Sequence, residues 1–278
     1  MKFNISAGHN PDGKIACGTV NNTLNMKEST EARYQTKKVV EYLKADGNNA
    51  NNCTVDNGTG QTDVLNKLKT KHNAHSVDWN VSIHFNDTDK EDLKGNEKNI
   101  GVEVWYFDNK KKPARREECR KKAELVCENL SKIGFTNRHA KPTTGLRFLK
   151  DTVDKAILIE VCFCSDADDV KLYKSNRDNI ARAIADALEG KKYVKRDNKM
   201  DKVIAYVGDI DKVAATILNW KLKDYSLKDA NSLKGKEINN LIVVGGGAAN
   251  LLQGAKEKIV GKDRFETVKK VSEYIDKI

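Results

Sequence analysis

Short apolar runs alternate with stretches of helical period along the first 190 residues, and this alternation limits the possible folds. The runs read KFNIS, WNVSIHF, IGVEVWYF and KAILIEVCF. Each has the length of a buried strand, whereas the stretches between them repeat apolar residues every three or four positions. That order is typical of an α/β sheet. The sequence therefore predicts an N-terminal open α/β sheet with helices on both faces.

Three amphipathic helices are predicted between or after these strands. The first covers about residues 28–44, and the second covers about residues 114–133. The third follows the strand that contains Glu160, with Ser165 as its N-cap and Gly190 just past its end. Each helix has an apolar stripe suited to packing against one face of a sheet.

The character of the sequence changes after Gly190. The segment GKKYVKRDNKM contains four lysines and one arginine and follows neither the strand period nor the helix period. We predict an N-terminal domain at 1–190, a linker at 191–200 and a small α/β C-terminal domain at 201–278. The second domain is predicted as strand, helix, strand, glycine turn, helix and a final amphipathic helix. About 80 residues bury little surface alone, which favours docking or self-association.

The net charge of +10 raises the question of nucleic-acid binding. Most basic residues are lysines interspersed with acids, and no aromatic-studded basic stripe or known binding motif accompanies them. We therefore expect no nucleic-acid partner, and a polyanionic cell surface suits the charge better.

No run of about 18 apolar residues is present, so we expect no membrane span. The amino terminus lacks the apolar region of a signal peptide, and we expect synthesis in a cytoplasm.

The cysteines are predicted to be free thiols. All six precede residue 165, and none forms a C-x-x-C pair or a disulfide-like framework. Thiols that pack as small apolar groups in a reducing compartment are the favoured interpretation. Cys162 and Cys164 lie two apart on a predicted strand and would face the same side, so zinc ligation by these thiolates is a weaker alternative.

Four residues at the ends or in the middle of these segments carry candidate chemistry. His9 follows the first strand, Glu28 opens the first predicted helix, His84 lies on a strand, and Glu160 lies inside AILIEVCF. Two imidazoles and one carboxylate form the ligand set of a catalytic zinc, which keeps one position open for water. A further carboxylate can act as the base for that water. The pattern predicts metal-assisted hydrolysis.

Each of these residues also has a structural interpretation. His9 could be a turn histidine, Glu28 a capping-box partner of Asn25, and His84 a half-buried strand residue. Glu160 could be a paired core charge. An unpaired carboxylate at the end of a buried strand is costly, however, and a nearby cation would remove that cost. His84 lies on the face opposite the apolar residues of its strand, near the carboxyl end where α/β sheets place their ligands.

Together, these segments resemble a known family. The residues that carry the resemblance are GHN near the start, a glutamate 19 residues before Gly47, SIHFN, the G-x-E of Gly101 and Glu103, and the late glutamate of EVCF. They are similar to the zinc-dependent N-acetylmuramoyl-L-alanine amidases of the amidase 3 type, which occur in bacterial autolysins and phage endolysins. The resemblance covers about residues 1–190.

The resemblance implies a function and a set of roles. His9, Glu28 and His84 would hold one zinc ion (Zn2+), and Glu160 would be the catalytic acid/base. The bond cleaved would be the amide between the lactyl group of N-acetylmuramic acid and L-alanine in peptidoglycan. Glu31 competes with Glu28 as a ligand, although the spacing to Gly47 favours Glu28.

Two loops depart from the family pattern. GHNPDG is less glycine-rich than the common form, and Arg138 to Lys141 read RHAK where the family more usually has Arg-Gly. Substrate contacts are expected at Asn86 and in the loops at 87–99 and 139–155.

The C-terminal segment contains VVGGG, which lacks the GK[ST] ending of a phosphate-binding loop and is better interpreted as a tight strand-to-helix turn. VVGGGA followed by GKDRFETVKKV resembles the C-terminal domains of clostridial phage endolysins and, more distantly, the wall-anchoring repeats of clostridial surface proteins. This implies cell-wall targeting through a wall polymer. It also implies synthesis in a host cytoplasm and action on the bacterial wall after release.

Met200 stands at the end of the predicted linker and could start a shorter C-terminal product. We expect such a product to associate with the full chain in a homo-oligomer through the second domain. A chance methionine is the alternative.

Two other functions fit the same residues. One is a zinc carboxypeptidase or other zinc peptidase acting on the peptidoglycan stem, which uses an equivalent ligand set. The other is a wall-binding protein in which the metal site is structural. The open ligand position argues against the second.

Overall fold

Two main sheets, one of six strands and one of four, organise the described residues. The computed structural model describes residues 1–194, 200–236 and 238–278. They fall into two compact units, Met1–Lys195 and Arg196–Ile278. The predicted linker at 191–200 includes residues 195–199, which lie outside the described residues.

The first unit contains eight strands. Six of them form one sheet in the order β4-β1-β5-β8-β6-β7, in which β6 runs antiparallel to β8 and all other neighbours are parallel, while β2 and β3 form a short antiparallel pair. The strands are β1 Lys2–Ala7, β2 Val20–Asn21, β3 Met26–Lys27, β4 Asn49–Asn52, β5 Trp79–Asn86, β6 Val102–Phe107, β7 Asn137–Thr143 and β8 Ala156–Phe163.

Six helices accompany these strands: α1 Glu28–Ala45, α2 Gln61–His72, α3 Pro113–Ser131, α4 Arg147–Asp151, α5 Ala167–Ser175 and α6 Arg177–Leu188. The apolar sides of α1, α3 and α6 meet one face of the sheet in the main hydrophobic core. On the other face, Phe148 and Leu149 of α4 pack against Leu158. The predicted open α/β sheet with helices on both faces is confirmed.

The third predicted helix is wrong in two respects. It is divided into α5 and α6 at Asn176, whose backbone (φ −131°) leaves the helical range. The N-cap of α5 is Asp166, not Ser165, because the Asp166 carboxylate accepts a hydrogen bond from the backbone N–H of Asp169. A carboxylate at this position satisfies one of the free N–H groups of the first turn.

The second unit is a smaller parallel sheet in the order β10-β9-β11-β12 with helices on its faces. The predicted small α/β fold is confirmed, and VVGGG forms the turn from β11 into α8, with Gly245 at φ 87°. The short strands β10 and β12 were not predicted. Its elements are β9 Met200–Tyr206, α7 Gly208–Lys221, β10 Ser226–Asp229, a 3₁₀ turn Ala230–Leu233, β11 Ile238–Val244, α8 Gly246–Leu251, β12 Glu257–Ile259 and α9 Arg264–Ile275.

None of the helices in the described residues combines the length and the apolar character required to cross a membrane.

Candidate metal centre

The structure brings His9, Glu28 and His84 together at the carboxyl edge of the first sheet. His9 follows β1, Glu28 is the first residue of α1, and His84 lies near the end of β5. Their candidate ligand atoms all lie within 4.8 Å of one another. Glu28 Oε1 is 3.1 Å from Nδ1 of His84 and 3.3 Å from Nε2 of His9.

The Glu28 carboxylate is held from both sides by the backbone. Its Oε2 accepts a hydrogen bond from the N–H of Thr19 at 2.9 Å, and its Oε1 accepts one from the N–H of Phe85 at 3.2 Å. Burial opposes its ionisation, but the hydrogen bonds and charges of His84 and His9 outweigh burial and lower the pKa of Glu28. Glu28 is therefore a fixed, ionised carboxylate.

Burial and its neighbours decide how the His84 imidazole can act. Burial lowers the pKa of His84, although the hydrogen bond to Glu28 opposes this shift, so the imidazole is held in the form that binds metals. Its Nε2 lies 3.0 Å from the hydroxyl of Ser82. Among the described residues, the buried Nδ1 of His9 has no hydrogen-bond partner. The His9 nitrogen that faces Glu28 is Nε2. Nitrogens of two imidazoles beside one carboxylate fit the donor set of a zinc site.

Glu160 lies on the neighbouring strand β8, directly beside His84 in the strand register. Its Oε2 is buried and has no hydrogen-bond partner in the described part of the chain. Burial raises the pKa of Glu160 well above the usual range, and the charges of Glu28 and Glu103 act in the same direction. A cation at the histidines would oppose this rise. Glu160, His9 and His84 line one cavity of about 340 Å³.

Glu103 lies on the other side of Glu160, as its register partner in β6. Unlike Glu160, it is fully paired. Its Oε2 accepts hydrogen bonds from Arg138 at 2.8 Å and from Lys141 at 2.5 Å, and its Oε1 accepts one from the amide of Asn86 at 2.9 Å. The amide of Asn86, a predicted substrate contact, is thus engaged with Glu103. The RHAK segment supplies the two cations.

Glu31, the competing candidate, points elsewhere. It accepts a hydrogen bond from the hydroxyl of Tyr173 at 2.7 Å and pairs with Arg177 at 2.7 Å. The structure therefore brings Glu28, and not Glu31, to the two histidines. A second group of carboxylates, Asp46, Asp186 and Glu189, surrounds the Arg182 guanidinium and is an ion-pair network.

The walls of the cavity come from two helices that were not predicted. Gln61, Leu65 and Leu68 face it from α2, and Arg147 and Phe148 face it from α4. Helix α2 reads QTDVLNKLKTKH, with only three apolar residues, which is too few for a clear helical period. The three-residue spacing of Leu65 and Leu68 is the feature of this segment that indicates a helix.

Gly8 is a further functional position that was not singled out. A Cβ atom at this residue would lie 1.8 Å from Cε1 of His84. Only glycine lets the His84 ring lie against the backbone that carries His9.

Gly8→Ala is therefore expected to displace His84 and to lower the free energy of unfolding by about 1–3 kcal/mol, the usual range for overpacking. Thermal unfolding of the full chain measures this change. The matched control is Gly60→Ala, because a Cβ atom there meets open space. An equal effect of the two substitutions would contradict the close packing of His84 on Gly8.

The fold and the site define an α/β protein with a candidate metal centre at the carboxyl edge of its sheet. The sequence profile of the N-acetylmuramoyl-L-alanine amidase family (amidase 3) matches residues 4–190. The chain belongs to this family, as the sequence motifs predicted.

Two proteins of Clostridium perfringens are similar to this chain in sequence. The protein CPE1502 of Clostridium perfringens is 30% identical over 196 residues, which cover 69% of this chain and 52% of that protein. A second protein of Clostridium perfringens, of 38.4 kDa, is 31% identical over 186 residues, with 46% of its length covered. The chain thus spans about half the length of the curated relatives it matches.

Solved structures share the fold. The catalytic domain of the CD27L endolysin targeting Clostridia difficile superposes with a TM-score of 0.56 at 23% identity, covering 70% of this chain and 99% of that one. The CwlD amidase from Clostridioides difficile, solved in complex with the GerS lipoprotein, superposes with a TM-score of 0.57 at 20% identity, covering 68% and 98%.

Proposed function

We propose that the chain is a zinc-dependent N-acetylmuramoyl-L-alanine amidase of the endolysin or autolysin type. The observation that carries the proposal is the convergence of His9, Glu28 and His84 within 4.8 Å, beside the unpaired carboxylate of Glu160. Family membership over residues 4–190 supports the same substrate, the bond between N-acetylmuramic acid and L-alanine.

The residues present fit a zinc ion. His9, Glu28 and His84 would hold it, because their candidate ligand atoms lie within 4.8 Å of one another. Zinc bound there would lower the pKa of a bound water molecule and would polarise the scissile carbonyl. This assignment of ligands rests on the donor set, since two imidazoles and a carboxylate leave a position for water.

Glu160 is the proposed general base and acid. Its carboxylate takes a proton from the attacking water, whose oxygen forms a new bond to the lactyl carbonyl carbon. When the C–N bond breaks, Glu160 returns the proton to the leaving amine of L-alanine. The products are a lactyl carboxylic acid on the glycan and a stem peptide with a free amino terminus. The burial that raises the pKa of Glu160 supports its capacity to hold a proton during this step.

A zinc peptidase or carboxypeptidase acting on the stem is the second candidate function. It would use the same ligand set, but its products differ. A carboxypeptidase releases single D-amino acids, whereas an amidase exposes L-alanine amino termini.

A wall-binding protein with a structural metal is a third candidate function. If it were correct, substitution of Glu160 would leave the function intact.

The second unit is proposed to target the wall by binding a wall polymer and to join copies of the chain. An apolar stripe on α7 supports association. Ile210, Val213 and Trp220 recur at helical spacing and are 52%, 59% and 70% exposed. A helix with this much exposed apolar surface is typical of an interaction site.

Replacing Val213 and Trp220 by serine should therefore shift the chain from an oligomer to the monomer mass of 31.1 kDa. Size-exclusion chromatography with light scattering measures this change. Lys221→Ser, on the same helix, is the matched control and should leave the oligomer intact. A monomer mass for the unmutated chain would contradict association.

We further propose that an internal start at Met200, the first residue of β9, produces the second unit alone. Expression of the unmutated gene should give an additional band of roughly 9 kDa, at about 110 Da per residue, and Met200→Leu should remove it. If the unmutated gene gives no such band on a denaturing gel, the internal start is wrong.

A further inference from the structure

The cavity beside Glu160 has apolar walls and one cationic side chain outside the metal centre. Leu65 and Leu68 of α2 form one wall, and Phe148 and Leu158 contribute to the other side. Arg147, at the start of α4, lines the same space as His9, His84 and Glu160. At about 340 Å³, the cavity is at the small end of ligand sites and suits a short peptide better than a chain of sugars.

Arg147 is held in place by one nitrogen only. Its Nη2 donates hydrogen bonds to Oδ1 of Asn66 at 3.0 Å and to Oδ2 of Asp151 at 3.2 Å. Within the described ranges, Nε and Nη1 have no hydrogen-bond partner, which leaves three N–H groups for a ligand. Asn66 comes from α2 and Asp151 from α4, so both walls of the cavity position the guanidinium.

Asp151 engages only Nη2 of Arg147. The pair joins residues four apart on a short helix, with 41% of the Arg147 side chain and 23% of the Asp151 side chain exposed, and such partly exposed pairs contribute little to stability. A ligand carboxylate that reaches Nε or Nη1 would gain charge-assisted hydrogen bonds in a cavity with apolar walls, where these bonds are stronger than in water.

We propose that Arg147 is a specificity residue that binds a free carboxylate of the stem peptide, and that the peptide side of the substrate occupies the cavity between α2 and α4. This inference rests on the proposed amidase activity. The residue after L-alanine in the stem is a glutamate linked through its side-chain carboxyl. This glutamate is the second residue after the scissile amide, and its α-carboxyl group is either ionised or amidated. The methyl group of L-alanine matches the apolar walls, and the α-carboxylate matches Arg147.

Two synthetic N-acetylmuramoyl-L-alanyl-D-glutamyl substrates test the assignment, both with the γ-carboxyl blocked as an amide: one has the free α-carboxylate, and in the other the α-carboxyl is a carboxamide. The full chain is expected to show a kcat/KM about 10- to 100-fold higher for the carboxylate form, the scale of a charge-assisted hydrogen bond. Arg147→Gln should reduce this ratio to about 1, mainly through KM for the carboxylate form. Arg147→Lys, which keeps the charge, should retain part of the preference.

Lys150→Gln is the matched control, because it removes the same charge from the exposed side of α4 without lining the cavity. It should leave the ratio unchanged. Equal hydrolysis of the two substrates by the unmutated chain, or an unchanged ratio in a folded Arg147→Gln variant, overturns the role of Arg147 while the amidase proposal stands. Hydrolysis of neither substrate, with intact walls also resistant, overturns the amidase proposal and this inference with it.

Discussion

Glu160→Gln is expected to reduce wall hydrolysis by at least about a hundredfold while the chain stays folded and keeps its zinc. Glutamine has nearly the shape of glutamate but cannot accept the proton of the attacking water. The fold should tolerate the change, because the buried Oε2 of Glu160 makes no hydrogen bond to any described residue. Glutamine also introduces no charge that burial would penalise.

The loss is measured as the rate of turbidity decrease of purified clostridial walls, with zinc content and thermal unfolding determined on the same preparations. Glu128→Gln, an exposed carboxylate on α3, is the matched control and should retain full activity. Lysis by Glu160→Gln at a rate close to that of the unmutated chain would rule out the proposed mechanism.

His84→Ala and Glu28→Ala are each expected to remove most of the bound zinc and, with it, nearly all activity. Each substitution takes away one of the three proposed ligands, and two protein ligands are too few for a stable zinc site. Zinc per chain, measured by elemental analysis after dialysis, reports this effect independently of activity.

Glu31→Ala provides a stringent comparison. Glu31 lies three residues from Glu28 on the same helix, but it pairs with Tyr173 and Arg177. The Glu31 variant should therefore keep its zinc, although the loss of the pair with Arg177 can reduce stability. If Glu28→Ala retained zinc and Glu31→Ala lost it, the ligand assignment would be wrong.

The central strands were predictable because they are buried on both faces and read as apolar runs. A polar residue is conspicuous in such a run, and His84 and Glu160 could therefore be predicted as site residues. The edge strands were not predictable, since β4 reads NANN and β7 reads NRHAKPT. Their positions depend on pairing with β1 and β6, and their own residues show no strand pattern.

The parts of the site that were not predicted depend on contacts between distant segments. Glu103 was noted as part of a motif, but its pairing with Arg138, Lys141 and Asn86 requires three strands to be in register. Arg147 lies in the segment 139–155 where substrate contacts were expected, but its place in the cavity depends on the meeting of α2 and α4 on one face of the sheet. The sequences of α2 and α4 contain no local pattern that predicts this contact between the two helices.

Identification of the bond that is cleaved in the wall is the most direct test of the proposed amidase activity. Purified clostridial walls are digested with the full chain, and the newly exposed amino termini are labelled and identified by mass spectrometry. The proposed amidase predicts new L-alanine amino termini that increase as turbidity falls and that are absent from digests with Glu160→Gln. A fall in turbidity without new L-alanine termini, or the release of single D-amino acids instead, would contradict it.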